Sequence, residues 1–272
     1  MSEQRDWLPG GGEMGERTRS MDWSTTSLGP VSAWPRSLKT VVTVILTSRH
    51  PMFLWWGPDL VQFYNDGYRS SLGQDRHPAA LGAHGREFWA EIWEAIGPQI
   101  GAVMERGEST WNEDHLVPIT RDNRLQEVYW TYSYSPVLDD EGRIGGVLVT
   151  VQETTKRIQS ERRMATLRTL ADRTSAEGRS SAEVCRVAVE VLSGSDADAD
   201  IAFALIYLVE EDGSTLRLGA QVGQLSERAR PDELISAHSA PMAGWSATVS
   251  AVVSSGQMEV LDDLPSRMGP LP

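Results

Sequence analysis

Apolar residues recur at helical spacing after Pro35: Leu38, Val41, Val42, Ile45 and Leu46 form the stripe of a helix packed on one side. Pro35 suits a first turn, where its missing N–H would have no partner anyway, and His50-Pro51 ends the element. Two aromatic and β-branched runs, MFLWW (52–56) and LVQFY (60–64), flank Gly57-Pro58-Asp59 and predict a hairpin. Gly and Pro break residues 65–85 into short turns. Phe88, Trp89, Ile92, Trp93, Ile96, Ile100, Val103 and Met104 then predict a longer helix with one apolar face, running across Gly97-Pro98. Strand-like runs follow at 109–119, 125–137 and 143–152, the last two joined by the turn Asp139-Asp140-Glu141-Gly142.

Residues 153–175 are charged and helical in propensity, with a thin seam at Met164, Leu167, Leu170 and Ala171. Such a seam suits pairing with another helix, as in a homodimer, and equally a solvated connector. A second unit follows: a helix at 182–192, strands at 201–210 and 215–222 around Glu211-Asp212-Gly213, a helix at 245–254 and a strand at 258–261. Residues 1–34, rich in Gly, Ser, Thr and Pro, are expected to be an extended lead-in. This order of elements predicts an α+β chain.

Composition narrows the functional classes. A length of 272 residues holds two ordinary domains. The formal net charge of -13 argues against nucleic acid or anionic lipid as direct partners. No apolar run approaches the ~20 residues of a membrane span. The N-terminus lacks the basic segment and apolar core of a secretory signal. The single cysteine, Cys185, excludes an intrachain disulfide and a cysteine-rich metal site. These features predict a cytoplasmic protein. Nine of the 10 tryptophans precede position 131, so the two halves are built from different materials.

Catalytic chemistry finds little support. The histidines precede Pro51, Pro78, Gly85, Leu116 and Ser239, so none starts the His-acidic pair of a phosphoacceptor helix. No phosphate-binding G-x-x-x-x-G-K-[ST] loop occurs. His77 and His84 lie seven apart around Pro78 and Gly82, a spacing that spoils a common helical face for a metal. Asp196, Asp198 and Asp200 imitate the start of a calcium loop, but Ile201 and Tyr207 stand where such a loop needs Gly and Glu. No catalytic residue and no metal site are therefore assigned.

The segments GGGEMGERTRSMDWSTTSLGPVSAWPRSLKT (10–40), HPMFLWWGPDLVQFYNDGY (50–68), HPAALG (77–82) and FWAEIWEAIGP (88–98) resemble a PAS subfamily found at the N-terminus of bacterial two-component sensor histidine kinases. YWTYSYSPVLDDEGRIGGVLVTVQETT (129–155) resembles its last two strands. Glu153-Thr154-Thr155 stands where PAS domains carry an Asp-x-Thr signature tying the last strand to the exit helix, with Glu replacing Asp. FALIYLVEEDGSTLRLGAQVG (203–223) and VVSSGQMEVLDDLPSRMGPLP (252–272) resemble the opening of a GAF domain. The resemblance implies a PAS domain at 35–153, a signalling helix at 154–178 and a partial GAF domain at 179–272 that stops short of its last strands. It implies sensing and relay to a downstream kinase and its response regulator, with Glu153, Thr155 and Leu167 as relay residues. Histidine kinase activity of a longer parent, and a ligand-free dimerisation module, are the competing readings.

Haem and flavin are not expected. The predicted long helix lacks an axial His, and Cys185 lies outside the PAS segment, away from any photoreactive position. Cys185 instead sits among Val184, Val187 and Ala188 as a buried thiol. Phe53, Trp55, Tyr64, Trp89, Trp93, Trp111, Trp130 and Tyr132 either line a cavity for an unknown small ligand or simply fill the core. In the first case the Tyr hydroxyls, the indole N–H groups and His77 supply its polar contacts.

Overall fold

The computed structural model describes residues 7–73, 76–121, 123–194, 201–223, 225, 233–236 and 245–261. The chain divides into two units between Ile158 and Gln159.

The first unit is built on a five-stranded antiparallel sheet of order β2-β1-β7-β6-β3. Its strands are β1 (Met52–Trp56), β2 (Val61–Tyr64), β3 (Thr110–Leu116), β6 (Tyr129–Leu138) and β7 (Ile144–Glu153). The β1–β2 hairpin pairs Phe53 with Tyr64 and Trp55 with Gln62, as its aromatic runs predict. Side chains alternate across a strand, so these four residues share one face with Val147, Val149 and Val151 of β7. Trp130, Tyr132 and Tyr134 of β6 join the same face through their pairing with β7. Close packing also constrains β7: a Cβ on Gly146 would lie 2.4 Å from the Trp55 carbonyl oxygen, so only glycine fits there.

The opposite face carries Leu54 and Phe63, and the N-terminal segment covers it. This corrects the expectation of an extended lead-in. Helix α1 (Gly12–Ser20) and two short 3-10 turns lead into helix α2 (Arg36–Thr47), the predicted amphipathic helix. Leu8, Met14, Trp23, Val31 and Trp34 are all buried. Trp23 stacks on Phe63 at 4.8 Å between ring centres, and Trp34 meets the same ring edge-on at 5.5 Å. Gly and Pro misled the sequence reading because here they serve turns between buried tryptophans rather than loose chain. The Asp66 carboxylate, opening helix α3 (Asp66–Leu72), accepts from the N–H groups of Glu13 and Met14 and so caps α1.

Two further expectations change. The predicted long helix is broken into α4 (Gly85–Phe88), a 3-10 turn and α5 (Trp93–Arg106). The break falls where Trp89 leaves helical geometry with its indole directed to Gln62. The 109–119 run ends as β3 and resumes as β4 (Ile119–Arg121), which pairs with β5 (Arg124–Gln126) in a small hairpin. The N–H of Val117 bonds the Val128 carbonyl at 3.0 Å and closes the neck of that hairpin.

Helix α6 (Thr155–Glu177) follows β7, with Met164 and Leu167 exposed. In the second unit, α7 (Ser181–Leu192) buries Cys185, Val187 and Ala188. A three-stranded antiparallel sheet, β10-β9-β8, contains β8 (Ala204–Val209), β9 (Thr215–Val222) and β10 (Leu234–Ser236). Helix α8 spans Trp245–Ser255. Arg173 and Arg186 both pair with Glu177 and Glu190, joining the end of α6 to α7. The strand expected at 258–261 is not formed: Met258 and Val260 are exposed, and a strand needs a pairing partner. The Asp196, Asp198 and Asp200 loop and residues 262–272 lie outside the described residues.

Candidate ligand cavity

Between the inner face of the first sheet and α5 lies a cavity of about 60 Å³. Its wall is aromatic and branched aliphatic, with Phe53, Trp55, Trp89, Trp130 and Tyr132 among the lining residues. These five come from the predicted aromatic set. Ile92 and Ile96 close it from the helical side, Val117 and Ile119 from the neck and start of the small hairpin.

The other four predicted residues stand elsewhere. Tyr64 stacks on Phe53 but turns its hydroxyl to His77 Nδ1 at 2.9 Å. His77 Nε2 in turn meets the Glu13 carboxylate at 3.0 Å. His77 therefore ties β2 to α1 and makes no polar contact in the cavity, a correction to its predicted role. Arg17 and His77 hold the half-buried Glu13 carboxyl below its ordinary pKa. Trp93 packs over Gly97, where a Cβ would come 2.6 Å from its indole nitrogen. Trp111 is 66% exposed on the edge strand β3 and lines nothing inside.

The indole N–H groups are also occupied. Gln62, fully buried in β2, accepts from Trp89 at 2.6 Å and Trp55 at 3.2 Å through Oε1. Its amide nitrogen donates to the Ala80 carbonyl at 3.1 Å. One amide thus satisfies two tryptophans of the cavity wall. A lone glutamine within an apolar strand was the signal that sequence reasoning passed over.

The polar groups left for the cavity belong to tyrosines. Tyr132 accepts from Gln99 at 2.9 Å and meets His115 Nδ1 at 2.9 Å. The hydroxyls of Tyr68 and Tyr134 make no hydrogen bond among the described residues. Burial pushes the pKa of Tyr68, Tyr132 and Tyr134 upward, so all three remain neutral phenols. Tyr134 was legible from its period-two relation to Trp130 and Tyr132, whereas Tyr68 reaches the cavity only once α3 has folded.

The sheet, the cavity and the helices around it lie within a stretch that also matches a known family: residues 50–159 match the family model described as PAS fold. This stretch is a PAS domain. Solved structures similar to the chain include a sensory box sensor histidine kinase from Vibrio cholerae, at 17% identity over 43% of this chain and 90% of that one, TM-score 0.32. The PAS domain of a Colwellia psychrerythraea protein shows 15% identity over 44% and 98%, TM-score 0.34. That of Bordetella pertussis BvgS shows 18% over 48% and 96%, TM-score 0.33. No curated protein matches in sequence.

The exit from the PAS sheet is held by specific bonds. The Thr154 N–H donates to the Tyr129 carbonyl at 2.8 Å, and the Tyr129 N–H donates to the Thr155 hydroxyl at 3.0 Å. Glu153 accepts from Arg121 at 2.9 Å. Arg157, in the first turn of α6, pairs with Asp114 of β3 and holds that carboxyl below its ordinary pKa. Leu167 lies further along α6, 58% exposed. Among the described residues no group of three or more His, Cys, Asp or Glu is placed to hold a metal, and no helix is long and apolar enough to cross a membrane.

Proposed function

We propose that this chain is the sensory part of a cytoplasmic signalling protein, in which a small molecule in the PAS cavity alters the start of α6. The second unit acts as a GAF-like relay, and a histidine kinase and response regulator lie downstream; the present chain performs no catalysis. The exposed residues Met164 and Leu167 form part of a seam through which two copies pair as a homodimer.

One observation carries this reading: β6 and β7 both wall the cavity and hold the first turn of α6. Trp130, Tyr132, Val149 and Val151 face the cavity, while Tyr129 and Glu153 on the same strands anchor the exit. A ligand that spreads these strands changes the anchor, which is a population shift rather than chemistry. Filling the cavity by Val149→Phe mimics occupancy. The expected result is altered hydrogen exchange of the 155–160 amides in a protein that remains folded. Unchanged exchange there, with the ring shown to occupy the cavity, would remove the relay.

A further inference from the structure

Two arginines stand behind the cavity wall, and each keeps an unused donor. Arg121 lies two residues from the cavity-lining Ile119, on the same side of β4. Its side chain is 9% exposed, and its guanidinium carbon lies 5.2 Å from the ring centre of Trp130. Nη2 binds Glu153, but Nε is buried without a partner among the described residues. Arg76 repeats the arrangement. It lies 5.2 Å from the ring of Trp89, pairs with Glu91 through Nη2, and leaves Nη1 buried and unpartnered. Glu91 also accepts from the Thr120 N–H at 3.3 Å, which ties the Arg76 pair to the strand carrying Arg121. Both arginines act electrostatically on Tyr68, whose free hydroxyl belongs to the cavity wall.

Buried guanidinium donors without acceptors are rare and costly. Two of them, each packed on a tryptophan of the apolar cavity wall, mark the place of a missing acceptor. Charge decides its kind. Glu91 and Glu153 are 34% and 33% exposed, so water screens them, whereas their arginine partners are 15% and 9% exposed. The buried side of each pair is therefore its positive side, which favours an anion and the strong bonds that guanidinium makes with carboxylate. Apart from the Tyr132 and Tyr134 hydroxyls, the remaining walls offer apolar surface to the rest of such a molecule. At about 60 Å³, about two water volumes, the space suits an acid of two or three carbons.

We propose that the cavity binds a small monocarboxylic acid, with the carboxylate taken by Arg121, Arg76 and Tyr68 and the apolar body held by the aromatic walls. Each guanidinium turns off its tryptophan to meet the ligand. This rests on the reading of the cavity as a ligand site. The test titrates the full chain with acetate and propionate, and with acetamide and propionamide as uncharged counterparts, following tryptophan fluorescence. The acids should bind at least about tenfold tighter than their amides, the scale of one charge-assisted contact. Arg121→Gln should abolish that preference. Arg76→Gln provides the same test at the more exposed arginine should Arg121→Gln fail to fold. Equal binding of acids and amides, or a preference surviving in both folded variants, overturns the carboxylate assignment while leaving a ligand cavity. If neither acids, amides nor 1-propanol bind, the cavity reading falls together with the proposal.

Discussion

The two faces of the PAS sheet are made from the same residue types and put to opposite uses. On the outer face, Phe63 is met by Trp23 and Trp34 at ring distances of 4.8 and 5.5 Å. The indole of Trp23 is satisfied by the Thr18 carbonyl at 2.7 Å, and that of Trp34 by the Gly29 carbonyl at 3.0 Å. On the inner face, an equally aromatic wall leaves a cavity and the unpartnered hydroxyls of Tyr68 and Tyr134. Aromatic content therefore does not distinguish a core from a pocket. What sets the inner face apart is open space beside two tyrosine hydroxyls without partners among the described residues.

The contrast is broken most severely at the outer face. Trp23→Ala removes a ring with no space to spare and should cost about 3–5 kcal/mol. Urea unfolding followed by far-UV circular dichroism measures it, and a loss under about 1 kcal/mol would show that the outer face is loosely packed after all. The inner face depends on a single amide. Gln62→Leu keeps the volume but strands two indole N–H groups, for an expected loss of about 2–4 kcal/mol. A variant as stable as the parent would mean that Trp55 and Trp89 find other acceptors.

A smaller effect appears only in alkali. Of the 6 tyrosines, Tyr64, Tyr68, Tyr132 and Tyr134 have pKa values raised by burial above the ordinary 10.0. An unfolded phenol ionises near that ordinary value while these folded ones stay protonated. Stability is then complete below pH 10 and declines as pH rises beyond it. Absorbance at the tyrosinate band should show these four ionising only above the ordinary range or together with unfolding. Ionisation of all six near pH 10 with the fold intact would show that water reaches these hydroxyls freely.

Much of this architecture was legible in the sequence because periodicity reports burial. The β1–β2 hairpin, α2 and the β6–β7 pair follow from alternation or helical spacing, and five of the predicted aromatics do line the cavity. What was hidden depends on contacts between distant residues. The N-terminal segment looked extended because Trp23 and Trp34 carry no period of their own; their order comes from Phe63, far along the chain. His77 looked like a pocket group, but its partner Glu13 is supplied by the same unanticipated helix. Gln62 and the two arginines are single polar residues whose meaning lies in what surrounds them.

The cap that Asp66 places on α1 also bears on where the domain begins. The recognisable family segment starts at residue 50, yet the folding unit begins near Leu8, which is buried in the same core as Phe63. A chain started at the homology boundary would leave Leu54 and Phe63 facing water and the Asp66 carboxylate without the amides it binds. Such a bare apolar surface invites self-association. The boundary by descent and the boundary by cooperativity differ here by some forty residues, between Leu8 and residue 50. Only the second keeps both faces of the sheet covered.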